Sequence, residues 1–73
     1  MSKLPRVSGR EAVDALGKLG FRIRCQHGSH IIVRRDTPFA QVVVPDHREL
    51  DAGTLRAILR QAEITVDEFV RAL

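Results

Sequence analysis

Tryptophan and tyrosine are absent from this 73-residue chain, and Phe21, Phe39 and Phe69 are its only phenylalanines. A platform that stacks bases on successive aromatic rings therefore has little to be built from, so any contact with nucleic acid would rest chiefly on charge. Cysteine occurs once, at Cys25, which rules out a disulfide within the chain and fits a reducing cytoplasm. No stretch approaches the roughly 20 apolar residues of a membrane span, and no apolar run opens the chain in the manner of a secretory signal. A cytoplasmic protein with no membrane partner is expected. Also missing are a glycine-rich phosphate loop, an acidic cluster for magnesium-dependent nuclease work and a Ser/His/Asp set in recognisable context. There are no repeats, linkers or low-complexity segments. One domain over residues 1–73 is expected, near the size at which a single core yields only about 3–5 kcal/mol of net stability, so a stabilising partner would be unsurprising.

What the chain has is arginine, unevenly placed. The net charge is +3, but residues 1–35 hold eight Lys or Arg (Lys3, Arg6, Arg10, Lys18, Arg22, Arg24, Arg34, Arg35) against the two acids Glu11 and Asp14, whereas the remainder holds four Arg against seven acids. Ten of the twelve basic residues are Arg, the side chain better suited to forked contacts with phosphate. The split suggests a basic face for a polyanion and a separate acidic region. A merely solvated charge pattern would have the same composition.

Residues 1–7 form a short basic lead-in in which Pro5 disfavours helix at Leu4. Ser8 and Glu11 have the spacing of a capping box, and Ala12, Val13, Leu16 and Leu19 line one helical face before Gly20, so a helix is expected over about 9–19. Phe21 to Gln26 alternates strictly. Phe21, Ile23 and Cys25 should face the helices, and Arg22, Arg24 and Gln26 should face away. Gly28 and Ser29 are turn residues, and His30 to Arg34 continues the alternation, with Ile31 and Val33 opposing His30, Ile32 and Arg34. Asp36-Thr37-Pro38 turns the chain into a third run, Phe39 to Val44, closed by Pro45; periodicity leaves open whether its Gln41/Val43 or its Ala40/Val42/Val44 set is buried. Asp51 can cap a second helix with the stripe Leu55, Ile58, Leu59 and Ala62, stapled by Leu50 and Leu55. Thr65 and Glu68 repeat the capping box for a short third helix carrying Val66, Phe69, Val70 and Leu73. The expected fold is α+β, in the order αβββαα, with a three-stranded antiparallel sheet whose helices lie on one face and whose other face carries Arg22, Arg24, His30 and Arg34.

The densest chemistry lies in Cys25-Gln26-His27-Gly28-Ser29-His30-Ile31-Ile32-Val33-Arg34-Arg35. Imidazole ordinarily titrates near pH 6.5 and can take or give a proton at neutral pH, while guanidinium offers a flat, permanently charged fork for phosphate. A lone histidine in a hairpin is also a common surface residue, and strand arginines also deter edge-to-edge pairing, so the hairpin alone leaves both readings open. Cys25, His27, His30 and His47 are candidate metal ligands by type, but no spacing among them matches a zinc module. Neither a metal nor another cofactor is expected. One reaction suits so sparse a site. RNA carries its own nucleophile, the 2′-hydroxyl, so cleavage needs a base for that proton, an acid for the leaving oxygen and cationic stabilisation of the phosphorane.

The order αβββα, the turn Gly28-Ser29-His30 followed by Ile31-Ile32-Val33-Arg34, the run Val44-Pro45-Asp46-His47, and Gly53-Thr54-Leu55 through Ile58-Leu59 together resemble the HicA (YcfA-like) family, over nearly the whole chain. That resemblance implies a fold like double-stranded-RNA-binding domains, and the toxin role in a HicA–HicB toxin–antitoxin system. It further implies ribosome-independent cleavage of mRNA that inhibits translation, a catalytic histidine at the position of His30, and inhibition by a HicB-like antitoxin that covers the active site. Only His30 takes a role from the resemblance. The RNA-binding set Arg22, Arg24, Ser29 and Arg34 is inferred from the hairpin. His47 can be read as a second proton-transfer group or as a structural hydrogen-bonding residue at the strand-to-helix corner. His27 reads as an exposed turn residue. The expected function is thus a metal-independent endoribonuclease toxin; the competing classes are a non-catalytic RNA-binding module of double-stranded-RNA-binding-domain type and an interaction protein whose basic half docks an acidic partner.

Overall fold

The computed structural model describes residues 3–73, so the first two residues of the basic lead-in lie outside the described part. The elements are α1 (Gly9–Lys18), β1 (Arg22–His27), β2 (His30–Asp36), β3 (Phe39–Pro45), α2 (Ala52–Ala62) and α3 (Val66–Ala72). The strands form one antiparallel sheet in the order β1-β2-β3. This is the α+β, double-stranded-RNA-binding-domain-like arrangement that the patterning and the resemblance led us to expect.

The helix starts follow from their caps. Ser8 Oγ accepts from the Glu11 N–H at 3.0 Å while the Glu11 carboxylate accepts from the Ser8 N–H at 2.8 Å, and Thr65 with Glu68 repeats the exchange at 3.1 and 2.8 Å. Asp51 Oδ1 accepts from the Thr54 N–H at 2.7 Å, with Leu50 and Leu55 both buried on either side of that cap. Ala12, Val13, Ala15 and Leu16 of α1 and Leu55, Ile58, Leu59 and Ala62 of α2 pack on one face of the sheet, and Phe69 and Ala72 of α3 join the same core, with α3 lying against α1. Val70 and Leu73, which share the apolar pattern of the third helix, are exposed. Gly9 is held close to the third strand: its N–H donates to the His47 carbonyl at 2.8 Å, and a Cβ there would overlap the Pro45 carbonyl oxygen.

The pairing register decides which residues face the helices, because directly opposed residues point to the same side. Ile31 opposes Val44, Val33 opposes Val42 and Arg35 opposes Ala40; the five apolar members are buried, which answers the question left by the Phe39–Val44 periodicity. The first strand corrects the expectation from strict alternation. Ile23 opposes Val33 but Cys25 opposes Ile32, so Arg24 is an extra, unpaired residue, a β-bulge. Past it the faces exchange. Cys25 lies on the uncovered side rather than against the helices, and Gln26 lies on the helix side rather than with the arginines. Ile23 is 53 % exposed at the sheet edge, and of the three residues expected to face the helices only Phe21 is buried in the core.

The bulge has a reason in parity. A two-residue turn places His27 opposite His30, and regular pairing from there would set Phe21 opposite Asp36, on the solvent side. One extra residue in β1 returns Phe21 to the core, where the Arg35 guanidinium lies 4.7 Å from its ring centroid. Arg35 also donates to the carbonyls of Pro38 (2.9 Å) and Ala62 (3.2 Å), so it ties β2 to the end of α2.

Candidate active site

Among the described residues no helix crosses the second sheet face, and the register arranges it in rows. His27, His30 and Pro45 form the first row, Cys25, Ile32 and Val43 the second, Arg22, Arg34 and Gln41 the third, and Asp36 with Phe39 the fourth. The face therefore runs from imidazole through an apolar row and a guanidinium row to Asp36 and Phe39. Phe39 is 65 % exposed on it and Val43 45 %.

His30 is exposed at the first position of β2, and the turn that delivers it is firmly tied. Gly28 adopts φ +57°, the left-handed geometry at the first turn position that a II′ hairpin requires and a residue with Cβ rarely takes. The Gln26 side chain donates to the Gly28 carbonyl at 3.0 Å, and the Ser29 carbonyl accepts from the Asp46 N–H at 2.6 Å. Arg10 of α1 then joins these anchors. Its Nε and Nη2 donate to the two Asp46 carboxylate oxygens at 3.3 and 3.1 Å, and Nη2 also donates to Gln26 Oε1 at 3.2 Å. A forked, doubly bonded pair of this kind fixes orientation as well as charge. The imidazole of His30 stands in front of this clamp, facing solvent.

The arginines lie elsewhere on the face. Arg34 is four residues along β2 from His30, about 13 Å at strand rise, and Arg22 is directly opposite Arg34. Arg24, on the bulge, joins Arg22, Ile23, Arg34 and Asp36 in lining one shallow depression. The three expected phosphate ligands are thus brought together, but away from His30. Arg34 Nε is 3.2 Å from Asp36 Oδ1, whose side chain is 83 % exposed. Exposed pairs of this type contribute at most about 1 kcal/mol, so a phosphate can displace the carboxylate. Ser29 is beside His30 in the turn, exposed.

The remaining histidines separate clearly. His47 is exposed in the connection after β3, and its carbonyl seats the first N–H of α1, placing it with the helix starts. Hydrogen bonds from the Thr54 N–H and hydroxyl hold the Asp51 carboxyl below the ordinary carboxylate range, and the same donors on Thr65 do so for Glu68. His27, read from the sequence as a turn residue, is the last residue of β1 and pairs directly with His30. Among the described residues no three His, Cys, Asp or Glu side chains converge on a point where a metal ion could be held, and no helix is long and apolar enough to cross a membrane.

Sequence reasoning missed Arg10, Asp46 and Gln26 as the clamp behind the turn. Arg10 and Asp46 are 36 residues apart, and nothing local connects them. A solvent-facing imidazole on a rigid turn, with arginines further along the same face, suits proton transfer to or from a bound polyanion. Residues 9–64, which contain that whole face, match a family model described as HicA toxin of bacterial toxin-antitoxin. No curated protein matches the chain.

Proposed function

The chain belongs to the HicA toxin family of bacterial toxin–antitoxin systems, and from that membership we propose that it is a cytoplasmic endoribonuclease that cleaves mRNA at the His30 end of its open sheet face and so stops translation. The observation that carries the reading is the exposed His30 imidazole on a turn held by Gln26, Asp46 and Arg10. His30 accepts the proton of the 2′-hydroxyl as that oxygen attacks the adjacent phosphorus, and proton transfer from a positioned group contributes about 10²–10⁴-fold to rate. The nucleophile belongs to the substrate, so no metal-bound water is required. Arg22, Arg24 and Arg34 are too far along the strand to bind the scissile phosphate; they hold phosphates of flanking nucleotides, and Ser29 contacts the substrate beside His30. Products carry a 2′,3′-cyclic phosphate or its 3′-phosphate hydrolysis product, and a 5′-hydroxyl.

The partner implied by the family is an antitoxin. We assign its footprint to the same face, where Ile32 and Val43 provide apolar contact between the imidazole and guanidinium rows and Phe39 provides it beyond them. A stable complex of that kind buries on the order of 1,200–2,000 Å² in total. The reading is tested with end-labelled RNA incubated with the wild type and with His30→Ala in the presence of EDTA. Wild-type cleavage that the variant lacks is expected. Cleavage abolished by EDTA, or equal in the variant, contradicts the mechanism, and binding without any cleavage would identify an RNA-binding module instead.

A further inference from the structure

We propose that His27 is the second proton-transfer group of this site, the general acid that protonates the leaving 5′-oxygen while His30 acts as base. The proposal rests on the ribonuclease reading and deepens it. His30 has two cross-strand neighbours on the open face, His27 and Pro45, and only His27 can carry a proton. Cβ atoms of directly opposed residues are about 4.5–5.5 Å apart, so two imidazoles there can flank one phosphate. Both histidines are exposed and both belong to the rigid hairpin end.

Other donors are placed less well. The Asp46 carboxylate is engaged by Arg10 with both oxygens, and that pair lies behind the turn with its charges mutually balanced. Cys25 is one row further along and half-buried, while His47 sits with the helix starts. Arg34 lies two rows from His30 and Arg22 beside it.

The step balances. The bond from O2′ to phosphorus forms as that from phosphorus to O5′ breaks; the 2′-hydroxyl proton passes to neutral His30, and the proton of protonated His27 passes to O5′. The product state has one proton on the pair, as the reactant state did, but on the other ring. Hydrolysis of the cyclic phosphate with the roles exchanged, or exchange with solvent, restores the starting form.

The test compares two RNA substrates of one sequence, one ordinary and one whose scissile 5′-bridging oxygen is replaced by sulfur, a leaving atom that departs without being protonated. His27→Ala and His27→Gln should cut ordinary RNA at least about 10²-fold more slowly than wild type, yet cut the sulfur-bridged RNA at close to the wild-type rate. His30→Ala should be slow on both. Circular dichroism of each variant establishes that the fold is kept. His27 variants that are slow on both substrates would overturn the proposal, because His27 would then bind or position rather than donate. So would His27 variants as fast as wild type on ordinary RNA, a result that leaves the ribonuclease reading intact. A wild type that cuts neither substrate removes the ribonuclease reading itself.

Discussion

His30 packs against nothing in the core, and its neighbours on the sheet face are His27, Pro45 and the exposed edge of the apolar row. Its truncation should leave stability within about 0.5 kcal/mol of wild type, as surface substitutions usually do. A loss of cleavage in His30→Ala would therefore report chemistry and not folding. The arginines are proposed to act differently, through charge. Replacing Arg22 or Arg34 by Ala should weaken RNA binding and make the logarithmic salt dependence shallower by about 0.7–0.9 per residue, the release of one counterion. Titrating affinity against salt concentration checks this, and an unchanged slope would mean that the residue touches no phosphate. At this scale the role proposed for His30 is legible in the sequence only through the residues around it, since one exposed histidine has no chemical signature. The pairing of His27 with His30 has a local signal, because in His-Gly-Ser-His a two-residue turn must place its flanking residues opposite one another.

The elements were largely legible because their ends are local. Capping boxes at Ser8 and Thr65, the Asp51 cap with its Leu50 and Leu55 staple, Gly20 and the Gly28-Ser29 turn each depend on residues within about one helical turn. The bulge at Arg24 was not legible from alternation, since Phe-Arg-Ile-Arg-Cys-Gln satisfies a regular strand equally well. It follows from a conflict between distant demands, a core position for Phe21 at one end of β1 and the His27–His30 pair at the other. Deleting Arg24 should leave Ile23 opposite Val33 and Cys25 opposite Ile32 in a regular strand with Phe21 still in the core, so stability should stay within about 1 kcal/mol of wild type, whereas Phe21→Ala should cost about 3–5 kcal/mol. A urea melt measures this. A deletion that costs as much as Phe21→Ala would show that Phe21 has left the core and that Arg24 is not the extra residue.

The caps also set an acid limit. Asp51 and Glu68 have folded-state carboxyls below the ordinary range. Their contribution to stability is complete above the unfolded value, near pH 4, and is lost as pH falls through the folded value. The unfolding temperature should therefore decline below about pH 4, less steeply in the double variant Asp51→Asn, Glu68→Gln. Parallel declines in the two proteins would mean that other carboxylates control the acid limit.

For the molecule as a whole, the distribution of charge is joined to the distribution of cover. Helices α1 and α2 occupy one sheet face, with α3 against α1, and the other presents Arg22, Arg24 and Arg34 with little acid beside them except Asp36. That division was visible in the excess of basic residues before residue 36, but the separation of His30 from the arginines was not, because spacing along β2 says which face a residue takes and not what a substrate spans. The clamp of Arg10, Asp46 and Gln26 needed the fold to bring α1, the end of β3 and the hairpin together. The most direct measurement is the cleavage of a labelled RNA containing one cut site by wild type and His30→Ala, repeated with a single 2′-deoxy nucleotide on the 5′ side of that bond. The account predicts cleavage by wild type of the all-ribose RNA alone, with a cyclic phosphate end; cleavage of the 2′-deoxy substrate, or by His30→Ala at the wild-type rate, would contradict it.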